Sequence, residues 1–524
     1  MRKNLSLIIT SLVLALVVIW PIRQTGIWYP MHDSTSVTRV LLMKTAIMNG
    51  QIPPIWAENI NGGFGYPLFH FYAPLFHTIS TLFSFFITPV TSAIKLTIFL
   101  SIFTGILGSV YFAKRWGRLA ALVTGVAFAL APYAAVNIYV RGAFAEYLSL
   151  ALLPWVLIVT EKITSTRKMV VAGVFLSLFV LSHNLIPIIA LPMVLVWMIT
   201  QNKLNLKLVV GAIILSALLS AWFVLPLVME RGFTQADTIA KTTNYAKHFV
   251  EPWQLWNSTW GFGGSAQGVE DGMSFKLGKI QLILGMLGAL IAFREKKKSL
   301  KLISLFILIS VFLTTSASKF VWDRLPTLQI VQFPWRNLGI ITVFLSLLSG
   351  FTVSRINHRV FRFVGASLIM VMLFLTGYKY FVPESTNIAK DEVSDIASVV
   401  PEYVPTWWKI PPAQRYDFYA PPSISSAENE TSQQGPAAGG YHFDLVATDP
   451  SIIIFGSAYY PTWEGRVDGK KVAVSPNGNG LASFTIPQGI HSIDLRQSHT
   501  QLEKFAAIIS LITLAIMIKL YVKA

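Results

Sequence analysis

Apolar runs near the length of a membrane span recur along this chain from Leu5 almost to its last residue. Spans are expected at 5–21, 93–113, 118–139, 145–160, 169–183, 185–200, 207–229, 280–293, 300–316, 337–353, 362–381 and 505–522. Only 13% of the 524 residues are charged, about half of the roughly 25% typical of soluble domains. A water-soluble globule of this size is thereby excluded. Backbone polar groups inside lipid must be satisfied within their own segment, so the expected fold class is an α-helical polytopic membrane protein of about twelve spans. There are no cysteines, which removes disulfides, thiolate nucleophiles and cysteine zinc sites together.

The distribution of charge sets the expected orientation. Residues 68–88 are apolar enough to cross, and counting them as a span would invert every later loop. If they do not cross, the loops on the amino-terminal side are 1–4, 114–118, 161–168, 201–207, 294–301 and 354–362, plus the tail. These hold 19 Lys and Arg against two acids, Glu161 and Glu295. Cytoplasmic loops carry such an excess, so both termini are expected in the cytoplasm of a plasma-membrane protein, with 68–88 interfacial or re-entrant. Arg2 and Lys3 precede the first span as in a signal peptide, but no small-residue cleavage site comes before Pro21, so a retained anchor is expected. The net charge of +17 lies in short runs between spans, without a basic, aromatic-interleaved face, and nucleic acid is excluded as a partner.

Four outer segments are long: 22–92, 230–279, 317–336 and 382–504. The expected domains are a transmembrane domain over 1–381, whose outer loop 22–92 carries juxtamembrane helices, then a β-rich domain outside the cytoplasm over 382–504, then a final helix over 505–524. The β-rich domain holds 14 of the 25 acidic residues. Its polar stretch 425–435, with a glycosylation sequon at Asn429, reads as a loop. Alternating strands follow at 441–448, 451–458, 481–486 and 491–496, with an Asp468-Gly469 hairpin turn, and a small antiparallel sandwich is expected.

Ionisable groups near membrane depth tend to serve function. Acids near the outer face are Asp33, Glu58, Glu146, Glu230, Asp237, Glu251, Glu270, Asp271 and Asp323. Met31-His32-Asp33-Ser34-Thr35 opens an amphipathic helix expected to run to Met48. Asp33 reads either as its N-cap or as a general base for an acceptor hydroxyl. His32 reads as a phosphate or metal ligand or as an interfacial histidine. Arg141 and Arg336 break the expectation that outer span ends are poor in arginine. Each is either a phosphate ligand or an anchor, and Arg141 alternatively pairs with Glu146. Glu146 otherwise positions an acceptor or assists a metal. His183 lies in a short turn and reads as structural or substrate-binding. Trp253, Trp256 and Trp260 read as belt residues or sugar-stacking platforms.

The loop after span one carries Gly50-Gln-Ile-Pro-Pro-Ile-Trp56, Gly62-Gly-Phe-Gly-Tyr66-Pro67 and Phe69-His70-Phe-Tyr-Ala-Pro-Leu75. With Asp33, Arg141-Gly-Ala-Phe-Ala-Glu146, Gln332-Phe-Pro-Trp-Arg336 and Tyr459-Tyr-Pro-Thr-Trp463, these stretches resemble the GT-C membrane glycosyltransferases. They resemble still more the YfhO-like and 6-pyruvoyl-tetrahydropterin-synthase-related bacterial membrane proteins. The resemblance implies transfer of a sugar from a polyprenyl-phosphate donor to a cell-envelope glycan or lipid, with inversion. It implies Asp33 and Glu146 as catalytic residues, and His32, Arg141, His183, Arg336, Trp56, Tyr66 and His70 as substrate-binding residues. Many GT-C enzymes carry two adjacent acids where this chain has His32 and a single Asp33, which leaves a divalent metal cofactor open. A lipid-linked glycan flippase and a catalytically silent envelope-assembly protein are the alternatives.

Overall fold

The computed structural model describes residues 2–58, 60–236, 244–268, 270–394, 403–409, 423–424 and 440–524; Asp237 and the stretch 425–435, with its sequon at Asn429, lie outside them. The described part is mostly helical. Helices stand at all twelve expected places: α1 (Arg2–Ile19), α4 (Val90–Ala113), α5 (Arg118–Ala129), α6 (Phe144–Thr160), α7 (Thr166–Ser182), α8 (Ile186–Gln201), α9 (Leu206–Leu219), α11 (Lys279–Arg294), α12 (Lys298–Thr314), α13 (Asn337–Ser354), α14 (Arg359–Gly377) and α15 (Gln501–Lys523). Between them lie α2 (Ser36–Met48), α3 (Leu75–Ser84) and α10 (Ala221–Met229).

Among the described residues, five helices are long and apolar enough to cross a membrane unaided, and three bent pairs reach that length together. The expected span 207–229 is occupied by two helices, α9 and α10, that meet at Ser220 with a bend of 71°. The span expected at 118–139 bends by 44° before Pro132 and ends in a wide π turn, Val136–Val140. Such turns interrupt the regular hydrogen-bond ladder and are frequent at functional sites. Here the turn delivers Arg141. Segment 68–88 forms a four-residue helix, Leu68–Phe71, followed by ten-residue α3. Ten residues reach ~15 Å, half of a ~30 Å hydrocarbon layer, so α3 cannot span it.

α13 is the central post. Of its spanning window 89% is buried, while α14 and α15 show lipid-facing sides rich in residues such as Phe361, Phe363, Leu375 and Leu511. Neighbours approach α13 where it lacks side chains: a Cβ on Gly350 would lie 1.9 Å from Thr124 Oγ1, and one on Gly339 would strike Leu150. Small residues let helices close on one another where water gives no hydrophobic drive.

The basic loops gather at one end of the bundle. Arg115 pairs with Glu161 and Arg355 with Glu295, Asn202 bonds Thr160 O and the Ile163 N–H, Ser299 Oγ lies 3.0 Å from Gln201 Oε1, and Arg167 reaches Tyr521 O. The long connections occupy the other end.

After α14 the chain forms two four-stranded antiparallel sheets. One has the order β1 (Gly440–Ala447), β6 (Gly489–Gln497), β3 (Trp463–Val467), β4 (Lys470–Val472). The other pairs β2 (Ser451–Ala458) with β5 (Leu481–Ile486), flanked by Ser423–Ile424 and Ser475–Pro476. Phe443, Phe455 and Phe484 meet between them. The β3–β4 turn places Asp468 and Gly469 at φ +52° and +76°, the pair of positive angles that Asp-Gly tolerates in a tight hairpin.

This domain is seated on the first long loop. Trp56 meets Trp463 edge to face at 5.4 Å and Tyr460 at 6.4 Å, Phe64 packs on Trp408 at 4.9 Å, and Ala458 N–H donates to Phe64 O. Gly65 must be glycine: its φ is +67° and a Cβ would lie 2.5 Å from the Trp56 ring. A short ladder, Ile27–Trp28 against Asn387–Ile388, pins the same loop to the segment after α14. Trp56→Ala removes a fully buried ring from this joint and should cost about 3–5 kcal/mol. Limited proteolysis of the purified protein should then cut between residues 382 and 440 several-fold faster than wild type, whereas equal rates would show that the joint lies elsewhere.

Candidate functional site

Asp33 is held by its backbone before its side chain enters the argument. The His32 and Asp33 N–H groups donate to Val140 O and Arg141 O at 3.1 and 2.8 Å, and Tyr29 Oη donates to Ile138 O. The first loop is thus fastened to the π turn. The crossing is close: Gly142 has φ +66°, and a Cβ there would lie 2.3 Å from Met31 Sδ and 3.1 Å from Asp33 O. Asp33 is not a helix cap, contrary to one expectation, because α2 starts at Ser36 and Thr35 occupies the cap position. Its carboxylate instead accepts from the Thr35 hydroxyl and pairs with Arg39 at 3.3 Å. About a third of the Asp33 side chain is open. Burial opposes its ionised form, but Arg39 and Thr35 outweigh it and hold the carboxyl below the usual aspartate range.

Beside it lies a buried charge cluster. Glu146, in the first turn of α6, is fully buried and takes Arg141 Nη1 and Nη2 at 2.7 and 2.9 Å, one on each oxygen. Tyr133 Oη adds a third bond at 3.2 Å, and Asn137 Oδ1 accepts from Arg141 at 2.5 Å. The Arg141 guanidinium also lies 4.5 Å above the Trp335 ring. Arg336 approaches Glu146 at 3.9 Å, and its buried Nε has no hydrogen-bond partner. Two guanidiniums therefore share one carboxylate, and Arg336 has hydrogen-bonding capacity to spare.

These groups line a cavity of about 940 Å³. Its described lining includes His32, Asp33, Arg39, Arg141, Glu146, His183, Arg231 and Arg336, four arginines against two acids, so the field inside favours an anion. Leu185, Ile188, Leu227 and Val228 supply an apolar flank. No residue of the basic loops contributes, so among the described residues the cavity belongs to one end of the bundle.

Six of the expected site residues meet here: His32, Asp33, Arg141, Glu146, His183 and Arg336. Three do not. Trp56 and Tyr66 are buried in the joint under the β-rich domain, where their rings pack against protein, and His70 faces two carboxylates outside the cavity. Glu146 is fully buried with both oxygens on Arg141, the pairing that stands as the alternative to a catalytic role. His183 Nδ1 accepts the Leu185 and Ile186 N–H groups at the start of α8. His32 Nε2 lies 2.8 Å from Phe262 O. Trp253 and Trp256 are exposed, and Trp260 packs on Tyr380; none of the three lines the cavity. Sequence reasoning missed Arg39, 3% exposed and 3.8 Å above the Tyr72 ring. The signal was available: an arginine between Thr38 and Val40 on the side of α2 that must be buried.

The profile of the 6-pyruvoyl-tetrahydropterin synthase related domain, described as a membrane protein, matches residues 69–381, more than half of the chain. No curated protein matches the sequence. Among solved structures, arabinofuranosyltransferase AftD from Mycobacteria is similar at 16% identity and a TM-score of 0.49, over 74% of this chain and 28% of that one. ArnT from Cupriavidus metallidurans bound to undecaprenyl phosphate is similar at 17% identity and a TM-score of 0.40, over 69% of this chain and 63% of that one. The chain thus spans less than two thirds of the length of either.

Two outcomes follow from this geometry. Gly142→Ala forces a side chain into left-handed backbone against Met31, and should destabilise by about 1–3 kcal/mol, read as a lowered melting temperature in detergent. For Asp33, the depressed folded-state pKa means that its contribution is complete above the ordinary value of 3.8 and is lost as pH falls through the lower folded value. Melting curves should show wild type losing its margin over Asp33→Asn only below about pH 4; a margin already lost at pH 6 would contradict the pairing with Arg39.

Proposed function

This chain belongs to the membrane-protein family of the 6-pyruvoyl-tetrahydropterin synthase related domain, and we propose that it is a glycosyltransferase that moves a sugar, with inversion, from a polyprenyl-phosphate donor to an acceptor outside the cytoplasm. The observation that carries the reading is the convergence of Asp33, Arg39, Arg141, Glu146 and Arg336, from three separate connections, on one anion-favouring cavity with an apolar flank. In this reading the bundle crosses the membrane twelve times, the 19 Lys and Arg of the short loops face the cytoplasm with both termini, and the cavity and residues 382–504 face outward.

The chemistry asks for two things. A lipid phosphate leaving the anomeric carbon needs fixed positive charge where its own charge develops. Arg336 supplies it with an unpartnered Nε, and Glu146 fixes Arg141 beside it without solvent to reorganise. The acceptor hydroxyl needs a proton acceptor on the opposite side of the sugar. Asp33 is ionised and open to the cavity. Its low pKa makes it a weak base, suited to an oxocarbenium-like transition state in which the hydroxyl gives up its proton late. The new C–O bond forms as the phosphate–sugar bond breaks, the proton passes to Asp33, and the lipid phosphate departs. Leu185, Ile188, Leu227 and Val228 flank the cavity where an isoprenoid chain would reach lipid. Described lining from one end only favours transfer over translocation.

Radiolabelled prenyl-phosphoryl-sugar turnover tests this in purified protein. Asp33→Asn should lower kcat by at least about a hundredfold with the protein still inserted and monodisperse. Arg336→Gln should lower kcat/KM for the donor by about a hundredfold or more. Full turnover by Asp33→Asn would end the base assignment.

A further inference from the structure

His70, set aside above, belongs to a second cluster. Among the described residues, His70, Glu230 and Glu503 bring one ligand atom each to within 4.8 Å of one another, and each is 5% exposed. They come from three parts of the fold: the Leu68–Phe71 turn, the end of α10 and the first turn of α15. One oxygen of each carboxylate is already engaged. Glu230 Oε1 accepts from the Thr500 hydroxyl at 2.7 Å; Glu503 Oε2 accepts from the Thr500 N–H at 2.7 Å and lies 3.2 Å from His499 Nδ1.

The other two oxygens aim at the imidazole. Glu230 Oε2 lies 2.8 Å from His70 Nε2, and Glu503 Oε1 lies 2.7 Å from Nδ1. Yet Nε2, Glu230 Oε2 and Glu503 Oε1 have no hydrogen-bond partner, because the oxygens sit off the line of the ring N–H bonds. Off-axis contact at this distance suits ligands that share an ion better than a donor and acceptor. Two carboxylates buried at one point repel each other unless a cation lies between them. A void of about 20 Å³ borders His70, His499 and Glu503, room for one water-sized ligand.

We propose that His70, through one ring nitrogen, Glu230 and Glu503 bind a divalent cation of the zinc or manganese class. A nitrogen and two carboxylate oxygens form a donor set those ions accept, and metal–ligand distances of ~2.0–2.2 Å bring neighbouring ligand atoms about 3 Å apart. Charge of +2 balances the two carboxylates. Thr500 and His499 hold the carboxylates in place, as outer partners do in metal sites, and the void takes a water on the open position. The site is a staple, separate from the transfer chemistry. His70 precedes Phe71, Tyr72 and Ala73 of the cavity wall, Glu230 falls between Val228 and Arg231 of the same wall, and Glu503 opens the helix that follows the β-rich domain. The cation ties these three together.

Metal analysis of the full-length protein in detergent tests the site, before and after chelator and with Zn²⁺ or Mn²⁺ added back. The expected result is one equivalent per chain, removed by chelator with a fall in melting temperature of several degrees and restored by the ion. Glu230→Gln and Glu503→Gln should each lose the bound equivalent, while His442→Gln on the exposed sheet should retain it. Wild type that takes up no metal above background, or whose melting temperature ignores chelator and ion, overturns the site. So does retention of the full equivalent by both glutamine variants.

Discussion

A guanidinium closed on a carboxylate away from water, Arg141 on Glu146, is the contact around which this end of the bundle is arranged. Removing either partner from such a pair leaves a buried charge and costs about 3–5 kcal/mol. The pair explains the π turn before Arg141, the glycine after it, and the position of Asp33, whose N–H bonds to the Arg141 carbonyl. It also explains why Arg336 stands near an anion without being consumed by it. One carboxylate cannot satisfy two guanidiniums with good geometry, and the second keeps donors for something else.

The two ends of the bundle follow different physics. At the basic end, short loops close on one another through pairs such as Arg115–Glu161 and through Asn202. At the other end, long connections carry aromatic and Gly-Pro stretches that pack as a small soluble domain would. Trp56, Tyr66 and Phe64 form a floor, and the β-rich domain sits on it through Trp463, Tyr460 and Trp408. The domain is therefore a fixed part of the site's architecture, continuous with the loop that carries Asp33.

Much of this was legible in the sequence because lipid imposes simple rules. Helix positions followed from apolar length, and the strands from alternation ending in Asp468-Gly469. What hydropathy could not supply was where a helix bends. The 71° break at Ser220 lies inside an unbroken apolar run, and only packing against α15 reveals it: Ser510 Oγ accepts from the Trp222 N–H. The candidate site was half legible. Arg141 and Arg336 stood out as arginines where the charge rule expects few. The motif aromatics misled, since Trp56 and Tyr66 are as useful to a buried joint as to a sugar platform, and sequence carries no sign of which. Arg39 was overlooked because one arginine in an amphipathic helix reads as its solvated side until its first turns are seen to be buried. His70 was read with its motif, although its partners Glu230 and Glu503 lie 160 and more residues away.

The central claim, that the cavity receives a lipid phosphate, is tested most directly by the structure of the protein in lipid nanodiscs with a polyprenyl phosphate added. The account predicts density for the phosphate within hydrogen-bond distance of Arg336, with the isoprenoid chain leaving past Leu185 and Val228. A phosphate seated among the basic loops at the opposite end, or a cavity left empty at saturating lipid, would contradict it.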